Sequence, residues 1–248
     1  MNKFYEFKKV SEQETDLYVY GDITSMKWDE SDVGGYDFAK DLAEIDTDIN
    51  VHINSYGGEV SEGLAIYNLL KAFPHKVTTI NDGFACSSAS VVFMAGTERV
   101  MNKGSLLLIH NAWTYASGDS NALRKQADDL EKITMPSIAI YTSVTGMDEK
   151  SIKKMMDEET WITPDEALEM GFATSIREEE PKQSINEMFL NHQVMENKRL
   201  EKELNLNIGL LKTQIMLNEK LANEIDSLKA PKNGWDAFFE LLLRMEVF

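Results

Sequence analysis

The chain has 248 residues, of which 43% are hydrophobic, and its 42 acidic and 25 basic residues give a formal net charge of −17. That length is enough for one domain core with residues left over. A negative field of this size repels nucleic-acid phosphates, so we expect no nucleic-acid partner. No window approaches the ~20 apolar residues that span a bilayer, and the first residues lack the apolar core of a signal peptide. We therefore expect a cytoplasmic protein that does not enter membranes.

The cysteine and histidine content argues against a metal site. Cys86 is the single cysteine, so neither a disulfide framework nor a cysteine-based metal site is available. The histidines have no metal-ligand spacing such as HExxH. We expect three of them to be structural or surface residues, namely His52, His75 and His192. The sequence implies no cofactor.

The hydrophobic pattern predicts strands that alternate with helices from residue 16 to residue 176. Strands are predicted at residues 16–23, 48–54, 76–80, 98–101, 105–110 and 172–176. Helices are predicted at residues 36–45, 59–72, 87–96, 119–143 and 148–156, and from Thr163 as N-cap to Gly171. A tight connection is predicted at residues 83–86. The repeated strand–turn–helix unit predicts an α/β domain.

Beyond residue 176 the sequence changes character. Residues 177–182 read REEEPK, a charged break. Apolar residues then recur at helical spacing, although Asn207, Gln214 and Asn218 interrupt a strict heptad. We predict an α/β domain, a long amphipathic helical extension and an apolar tail that packs against a protein surface; these parts cover residues 1–176, 177–229 and 230–248.

Three separated segments carry the residue types that acyl transfer requires, which are a nucleophile, a base, an orienting group and amide donors for an oxyanion. Ser87 lies at the predicted start of an apolar helix, where backbone N–H groups are free and the helix dipole is positive. Gly57 and Gly58 follow a predicted strand and can present an N–H group that no side chain obstructs. His110 ends a later strand. The serine and the glycine pair together have the layout of an oxyanion hole.

The order of these motifs, Gly-Gly, then GFACSSAS, then IHNA, resembles the ClpP serine peptidases. It looks especially like the ClpP-related head-maturation proteases of tailed phages and prophages. The resemblance covers roughly residues 15–176 and implies the α/β superhelix of strand–turn–helix units that ClpP shares with crotonases, here with a C-terminal helical extension. It also implies Ser87 as nucleophile, His110 as general base, and the amides of Gly58 and Ser88 as the oxyanion hole.

The resemblance also points to the acid of the triad. The family places an aspartate two residues before an aromatic residue that matches Trp161, and this sequence has Glu159 at that position. A glutamate can also orient the imidazole of a Ser-His-acid triad. We therefore predict Glu159 as the acid, with Asp157 as the reserve candidate.

Neighbouring residues offer alternatives for the nucleophile. Ser88 and Ser90 are also serines, but Ser90 would lie one helical turn further on and face the packed interior. Cys86 would make the protein a cysteine peptidase, although a small buried cysteine is common. His110 taken alone would be an ordinary structural histidine at a strand end.

The resemblance implies a serine endopeptidase that assembles into homo-oligomeric rings, with residues 112–143 in the region that the family uses between rings. One role is the processing of phage scaffold or capsid proteins inside the procapsid, which the GFACSSAS segment and the appended helix favour. The other is degradation of proteins fed by a Clp ATPase. Two alternatives from other classes are a crotonase-like acyl-CoA enzyme and a non-enzymatic assembly scaffold. The intact Ser87, His110 and Gly58 argue against a decayed site.

Overall fold

A computed structural model describes residues 4–25, 35–178, 211–212 and 214–220. The chain divides into two units, Met1–Lys182 and Gln183–Phe248. The described residues of the second unit are helical and exposed. The predicted helical extension began at residue 177, but Arg177 ends a strand of the first unit. Residues 179–210, 213 and 221–229 of that extension and the whole predicted apolar tail lie outside the described residues.

The described part of the first unit contains eight strands and six helices. The strands are β1 (Tyr5–Lys9), β2 (Glu14–Tyr20), β3 (Asp48–Ser55), β4 (Val77–Cys86), β5 (Glu98–Asn102), β6 (Leu106–Ile109), β7 (Thr160–Ile162) and β8 (Ser175–Arg177). The helices are α1 (Gly35–Ala43), α2 (Val60–Lys71), α3 (Ser88–Phe93), α4 (Ser120–Thr145), α5 (Glu149–Asp157) and α6 (Pro164–Glu169). None of the described helices is both long and apolar enough to cross a bilayer.

The strands form one branched sheet. Its main path has the order β1-β2-β3-β4-β5-β8, while β6 pairs with β4 and β7 pairs with β6. Strand β1 is antiparallel to β2 and β7 is antiparallel to β6, whereas the other pairs are parallel. Alternate residues of β3, Ile49, Val51 and Ile53, are buried in the hydrophobic core, as a half-covered strand requires. The alternation of parallel strands with helices is the predicted α/β class.

A buried carboxylate joins the central strands on the other face of the sheet. The side chain of Asp82 is 3% exposed and lies 2.7 Å from Nδ1 of His52. It accepts hydrogen bonds from the hydroxyl of Tyr20 at 2.7 Å and from the amide of Asn102 at 2.9 Å. These partners satisfy a charge that would otherwise be costly to bury. His52 therefore has a structural place in the sheet.

Strand β4 differs from the prediction in a way that shapes the site. The sequence predicts a strand at residues 76–80 and a tight connection at residues 83–86, but a single strand runs from Val77 to Cys86. Ile53 pairs with Asn81, whereas Ser55 pairs with Ala85, so β4 is bulged between these pairs. Before the bulge β4 pairs with β5, and after it β4 pairs with β6. A bulge re-aims a strand, and here it lets the strand change partner.

Other strands also differ from the prediction in their presence or their bounds. Strands β1 and β7 were not predicted, because each is short and gains its definition from its partner. The strand predicted at residues 16–23 begins and ends earlier, at Glu14–Tyr20, and the one predicted at residues 172–176 lies at Ser175–Arg177. The predicted N-cap of the last helix is present: the Thr163 side chain and Glu166 form a reciprocal capping box.

Candidate active site

Ser87 occupies a sharp turn between β4 and α3. The sequence predicted Ser87 as the first residue of the helix, whereas in the structure it is the N-cap residue, directly before α3. Its backbone angles are φ 54° and ψ −126°. A positive φ is unfavourable for a residue with a side chain, and it persists only where the surroundings impose it. Such a strand-to-helix turn lifts the serine side chain out of the strand. Ser87 is partly buried, whereas Ser88 and Ser90 are buried.

The glycine pair allows the loop after β3 to approach this turn. A Cβ on Gly57 would lie 2.5 Å from the carbonyl oxygen of Cys86 and 2.8 Å from Cβ of Ser87. A Cβ on Gly58 would lie 2.1 Å from the carbonyl oxygen of Ile23. Only glycines fit these two positions, because both also have positive φ. The loop therefore lies against the backbone of the turn itself.

Two backbone amides near Ser87 are candidates for oxyanion donors. Gly58 is exposed, and its neighbours on each side bond to Ile23: the Gly57 carbonyl accepts and the Glu59 amide donates. Ser88 is the first residue of α3, where helix geometry leaves the N–H without an intrahelical acceptor. Within the described part of the chain, neither the Gly58 amide nor the Ser88 amide has a hydrogen-bond acceptor.

His110 follows β6 directly, on the strand next to Ser87. Cys86 pairs with Leu108, and the Ser87 amide donates to the Leu108 carbonyl oxygen at 3.0 Å. His110 is partly buried. Burial lowers the pKa of His110 below its ordinary value, while the negative charge of Glu159 acts in the opposite direction. The imidazole is thus neutral near pH 7, the state that a general base requires.

The antiparallel pair of β6 and β7 places Glu159 beside His110. Ile109, the last residue of β6, is paired with Thr160, the first residue of β7. His110 follows the one and Glu159 precedes the other, so the two residues are adjacent. Glu159 is exposed and has a positive φ of 49°. Asp157 ends α5 and accepts a hydrogen bond from the side-chain amide of Asn111 at 2.8 Å. Of the two candidate acids, Glu159 is the one whose charge acts on the imidazole.

The three side chains are neighbours without being bonded to one another. Across the residues that the structure describes, no hydrogen bond or ion pair joins Ser87 to His110 or His110 to Glu159. Catalytic hydrogen bonds are often long in a free enzyme and tighten when substrate binds. The backbone therefore places the three residues next to one another. The hydrogen bonds between their side chains are expected to form when substrate binds.

A cavity opens beside Ser87 and His110. Its walls combine apolar side chains with hydroxyl groups, and they are formed by Val60, Val91, Ala112, Met156, Ser88, Thr134, Ser137 and Tyr141. Two of the residues from α4 also form hydrogen bonds near the site, Tyr141 with the Ser90 hydroxyl and Thr134 with the Ala112 amide. Sequence reasoning missed both, because Tyr141 follows the apolar pattern of the predicted helix and nothing in the sequence marks a role for its hydroxyl.

The alternatives for the nucleophile are placed differently. The Ser90 side chain is fully buried and donates to the Ser87 carbonyl oxygen, as a packing residue would. Cys86 is 1% exposed, and burial raises the pKa of its thiol to about 12, so the thiolate is not populated at neutral pH. Of the other histidines, His75 lies 2.9 Å from a carboxylate oxygen of Asp46, and His192 lies outside the described residues.

Comparison with known proteins gives a family match. The family model for Clp protease matches residues 38–180. The chain is 34% identical over 131 residues to the ATP-dependent Clp protease proteolytic subunit 3 of Rhodococcus jostii, covering 52% of this chain and 65% of the relative. It is 32% identical over 144 residues to the ATP-dependent Clp protease proteolytic subunit of Porphyromonas gingivalis, covering 57% of this chain and 65% of the relative. The chain thus spans slightly less than two thirds of the length of these relatives.

A solved structure shows the same fold. A mutant of ClpP1 from Listeria monocytogenes superposes with a TM-score of 0.57 at 21% sequence identity, covering 66% of this chain and 91% of that one. This likeness confirms the predicted ClpP-like α/β fold. The family model matches more than half of the residues, and the chain belongs to the Clp protease family.

Proposed function

We propose that the protein is a serine endopeptidase in which Ser87 is the nucleophile, His110 the general base and Glu159 the residue that orients the imidazole. The observation that carries the proposal is the strained turn at Ser87, which lies against the glycine pair and is hydrogen-bonded to β6, the strand that His110 directly follows. The amides of Gly58 and Ser88 are the proposed oxyanion donors.

In the proposed reaction, Oγ of Ser87 attacks the carbonyl carbon of the scissile peptide bond while His110 takes the hydroxyl proton. The carbonyl oxygen becomes an oxyanion, which the two amides stabilise with hydrogen bonds that are strongest in the transition state. When the intermediate collapses, the C–N bond breaks and His110 gives its proton to the leaving amine. Water, deprotonated by His110, then hydrolyses the acyl-enzyme and restores Ser87.

A fluorophosphonate tests the proposal directly, because it phosphonylates only an activated serine. We expect labelling at Ser87, identified by peptide mass mapping, and no labelling of the Ser87→Ala variant. Labelling at Cys86 by a thiol reagent with loss of activity would support the cysteine-peptidase alternative. Turnover of an acyl-CoA thioester without peptide hydrolysis would support the crotonase-like alternative.

Two biological roles fit this chemistry, and both are proposals. The relatives are named as proteolytic subunits of ATP-dependent proteases, which supports a role as the peptidase of a homo-oligomeric ring that a Clp ATPase feeds. Residues beyond the family match, from 181 to 248, support a dedicated role such as processing of phage scaffold or capsid proteins. Degradation of a folded protein only with an added Clp ATPase favours the first role. Specific cleavage of a co-expressed capsid or scaffold protein without ATP favours the second.

The domain organisation is part of the proposal. We infer that the residues following β8 make a protein–protein contact and do not take part in chemistry, because every proposed catalytic residue precedes β8. We place the boundary of the peptidase unit after β8, because Arg177 is the last residue of that strand and its carbonyl oxygen accepts a hydrogen bond from the Lys103 amide at 3.1 Å.

A further inference from the structure

A buried chain of hydrogen bonds links α4 to the backbone of Ser87. Oγ of Ser90 lies 2.7 Å from the hydroxyl of Tyr141 and donates to the carbonyl oxygen of Ser87 at 2.6 Å. Ser90 is 0% exposed and Tyr141 is 1% exposed. Neither residue has a place in the acyl-transfer steps described above.

The number of hydroxyl protons decides which group donates in each of these hydrogen bonds. A serine hydroxyl has a single proton, and Ser90 gives it to the Ser87 carbonyl. Tyr141 must therefore be the donor to Oγ of Ser90. Burial raises the pKa of Tyr141 above its ordinary value, so its hydroxyl keeps the proton that this arrangement needs.

These hydrogen bonds end on the carbonyl group of Ser87, whose direction is linked to the backbone conformation of that residue. The carbonyl oxygen accepts from the Ser90 amide at 2.9 Å and from the Val91 amide at 3.4 Å as well as from the Ser90 hydroxyl, so the side-chain bond adds to two backbone bonds in fixing its direction. The direction of a carbonyl group follows the ψ angle of its residue, and Ser87 has an uncommon pair of backbone angles. Backbone strain of this kind persists only when neighbouring contacts impose it.

Helix α4 also supports the other side of the site. Oγ1 of Thr134 accepts a hydrogen bond from the amide of Ala112 at 3.1 Å, two residues after His110. Thr134 and Tyr141 are seven residues apart on α4, which is about two helical turns, so they lie on one face of the helix. One helix face thus contacts the segments of both Ser87 and His110.

We propose that Tyr141, acting through Ser90, is a positioning residue that holds Ser87 in its strained backbone conformation and so aims Oγ at His110. The proposal rests on the proposed peptidase function for its kinetic consequences, but the conformation of Ser87 can be measured without any activity. Under this proposal, α4 positions the nucleophile, although it contributes no residue to the triad.

The kinetic experiment compares Tyr141→Phe and Ser90→Ala with matched controls elsewhere in the fold. Tyr5→Phe removes another buried tyrosine hydroxyl, which donates to Asp41 at 2.9 Å, and Ser105→Ala removes another buried serine hydroxyl, which donates to the Asn102 carbonyl at 2.8 Å. We expect kcat to fall roughly 10- to 100-fold in the two site variants, the size of loss that small misplacements of a reacting group cause. We expect KM to stay within about 3-fold, because both side chains are almost fully buried. The controls should keep the wild-type kcat.

A double variant separates positioning from a general loss of packing. If Tyr141 acts only through Ser90, Tyr141→Phe combined with Ser90→Ala lowers kcat no further than Ser90→Ala alone. The rate of fluorophosphonate labelling at Ser87 should fall by the same factor as kcat. The proposal would be overturned if the double variant lowered kcat by the product of the two single effects. It would also be overturned if Tyr141→Phe and Ser90→Ala kept the same kcat as the control variants.

A crystal structure of the Ser90→Ala variant decides the question independently of catalysis. We expect Ser87 to leave its positive φ or to occupy two conformers. A Ser87 backbone unchanged from the wild type would refute the positioning role even if the protein proved to be a peptidase. A wild-type protein that neither hydrolyses peptides nor labels at Ser87 would refute the proposed function, and the conformation of Ser87 in the variant would still judge the positioning role.

Discussion

The backbone amide of Ser87 donates a hydrogen bond to the carbonyl oxygen of Leu108, with 3.0 Å between nitrogen and oxygen. Leu108 lies two residues before His110, so this bond ties the turn of the proposed nucleophile to the strand of the proposed base. The distance between the two side chains is therefore set by backbone pairing. Substitutions that change only one of the side chains should leave the other in place.

We expect Ser87→Ala to lower the rate of peptide hydrolysis by at least about 10⁴-fold, because the nucleophile itself is removed. Ser88→Ala should keep most of the activity, since the proposed contribution of Ser88 is its backbone N–H. Its hydroxyl is buried without a hydrogen-bond partner among the described residues, so alanine should not lower stability. Hydrolysis of a fluorogenic peptide and thermal unfolding measure both effects; equal activity of the wild type and Ser87→Ala would refute the mechanism.

The choice of acid can be tested with a pair of isosteric amides. Glu159→Gln should lower kcat by roughly two to four orders of magnitude, as loss of the orienting carboxylate does in other triads. Asp157→Asn should have a small effect, because Asp157 bonds to Asn111 and an amide oxygen can still accept that bond. Steady-state kinetics of both variants give the answer. The reverse order of effects would show that the acid lies two residues earlier.

The pH dependence of kcat/KM should report His110. The base is active when neutral, so activity should rise with pH through the pKa of His110, which burial holds below 6.5. The acidic limb should therefore lie below pH 6.5. Glu159 stabilises the charged imidazole, so Glu159→Gln should shift the limb to still lower pH while reducing the plateau. Profiles recorded between about pH 5 and about pH 8 test this, and a shift of the limb to higher pH would contradict it.

The close approach of the glycine loop predicts a large effect at Gly57. Gly57→Ala would bring a Cβ to 2.5 Å from the Cys86 carbonyl oxygen at a φ of 93°, so either the loop or the turn must move. We expect a loss of about 1–3 kcal/mol in unfolding free energy from the strain, together with a large fall in labelling of Ser87. Gly104→Ala is the control, because a Cβ there meets no atom within 4 Å. Chemical denaturation and labelling rates compare the two, and equal behaviour would refute the role of the loop contact.

Truncation tests the proposed boundary of the peptidase unit. A protein ending at residue 182 retains β8 and should still label at Ser87, whereas one ending at residue 173 loses the strand that pairs with β5 and should be unstable. We also expect the first truncation to lose a protein partner, which light scattering can measure as a smaller particle or as lost association with capsid protein. Loss of labelling in the protein ending at residue 182 would show that later residues belong to the catalytic unit.

The sequence predicted the α/β fold class because that class depends on local patterns, and it predicted that Ser87 and His110 lie together because the order of the motifs resembles the ClpP peptidases. Parallel strands end at the same edge of a sheet, so residues that follow β4 and β6 meet there. It missed β7, which has three residues and no periodicity of its own, and the change of partner along β4, which depends on a bulge between distant strands. The contact between Tyr141 and Ser90 was also invisible, because it joins residues 51 positions apart.

The change of partner along β4 predicts which part of the sheet opens first. Among the described strands, β6 pairs with the last residues of β4 and β7 pairs with β6, so these two strands form a branch of the main sheet. Small units with few neighbours open with a lower free energy than the global fold. We expect the backbone amides of Leu107 and Ile109 to exchange with deuterium faster than those of Val51 and Ile53. In denaturant, fluorophosphonate labelling of Ser87 should then be lost before the main sheet unfolds.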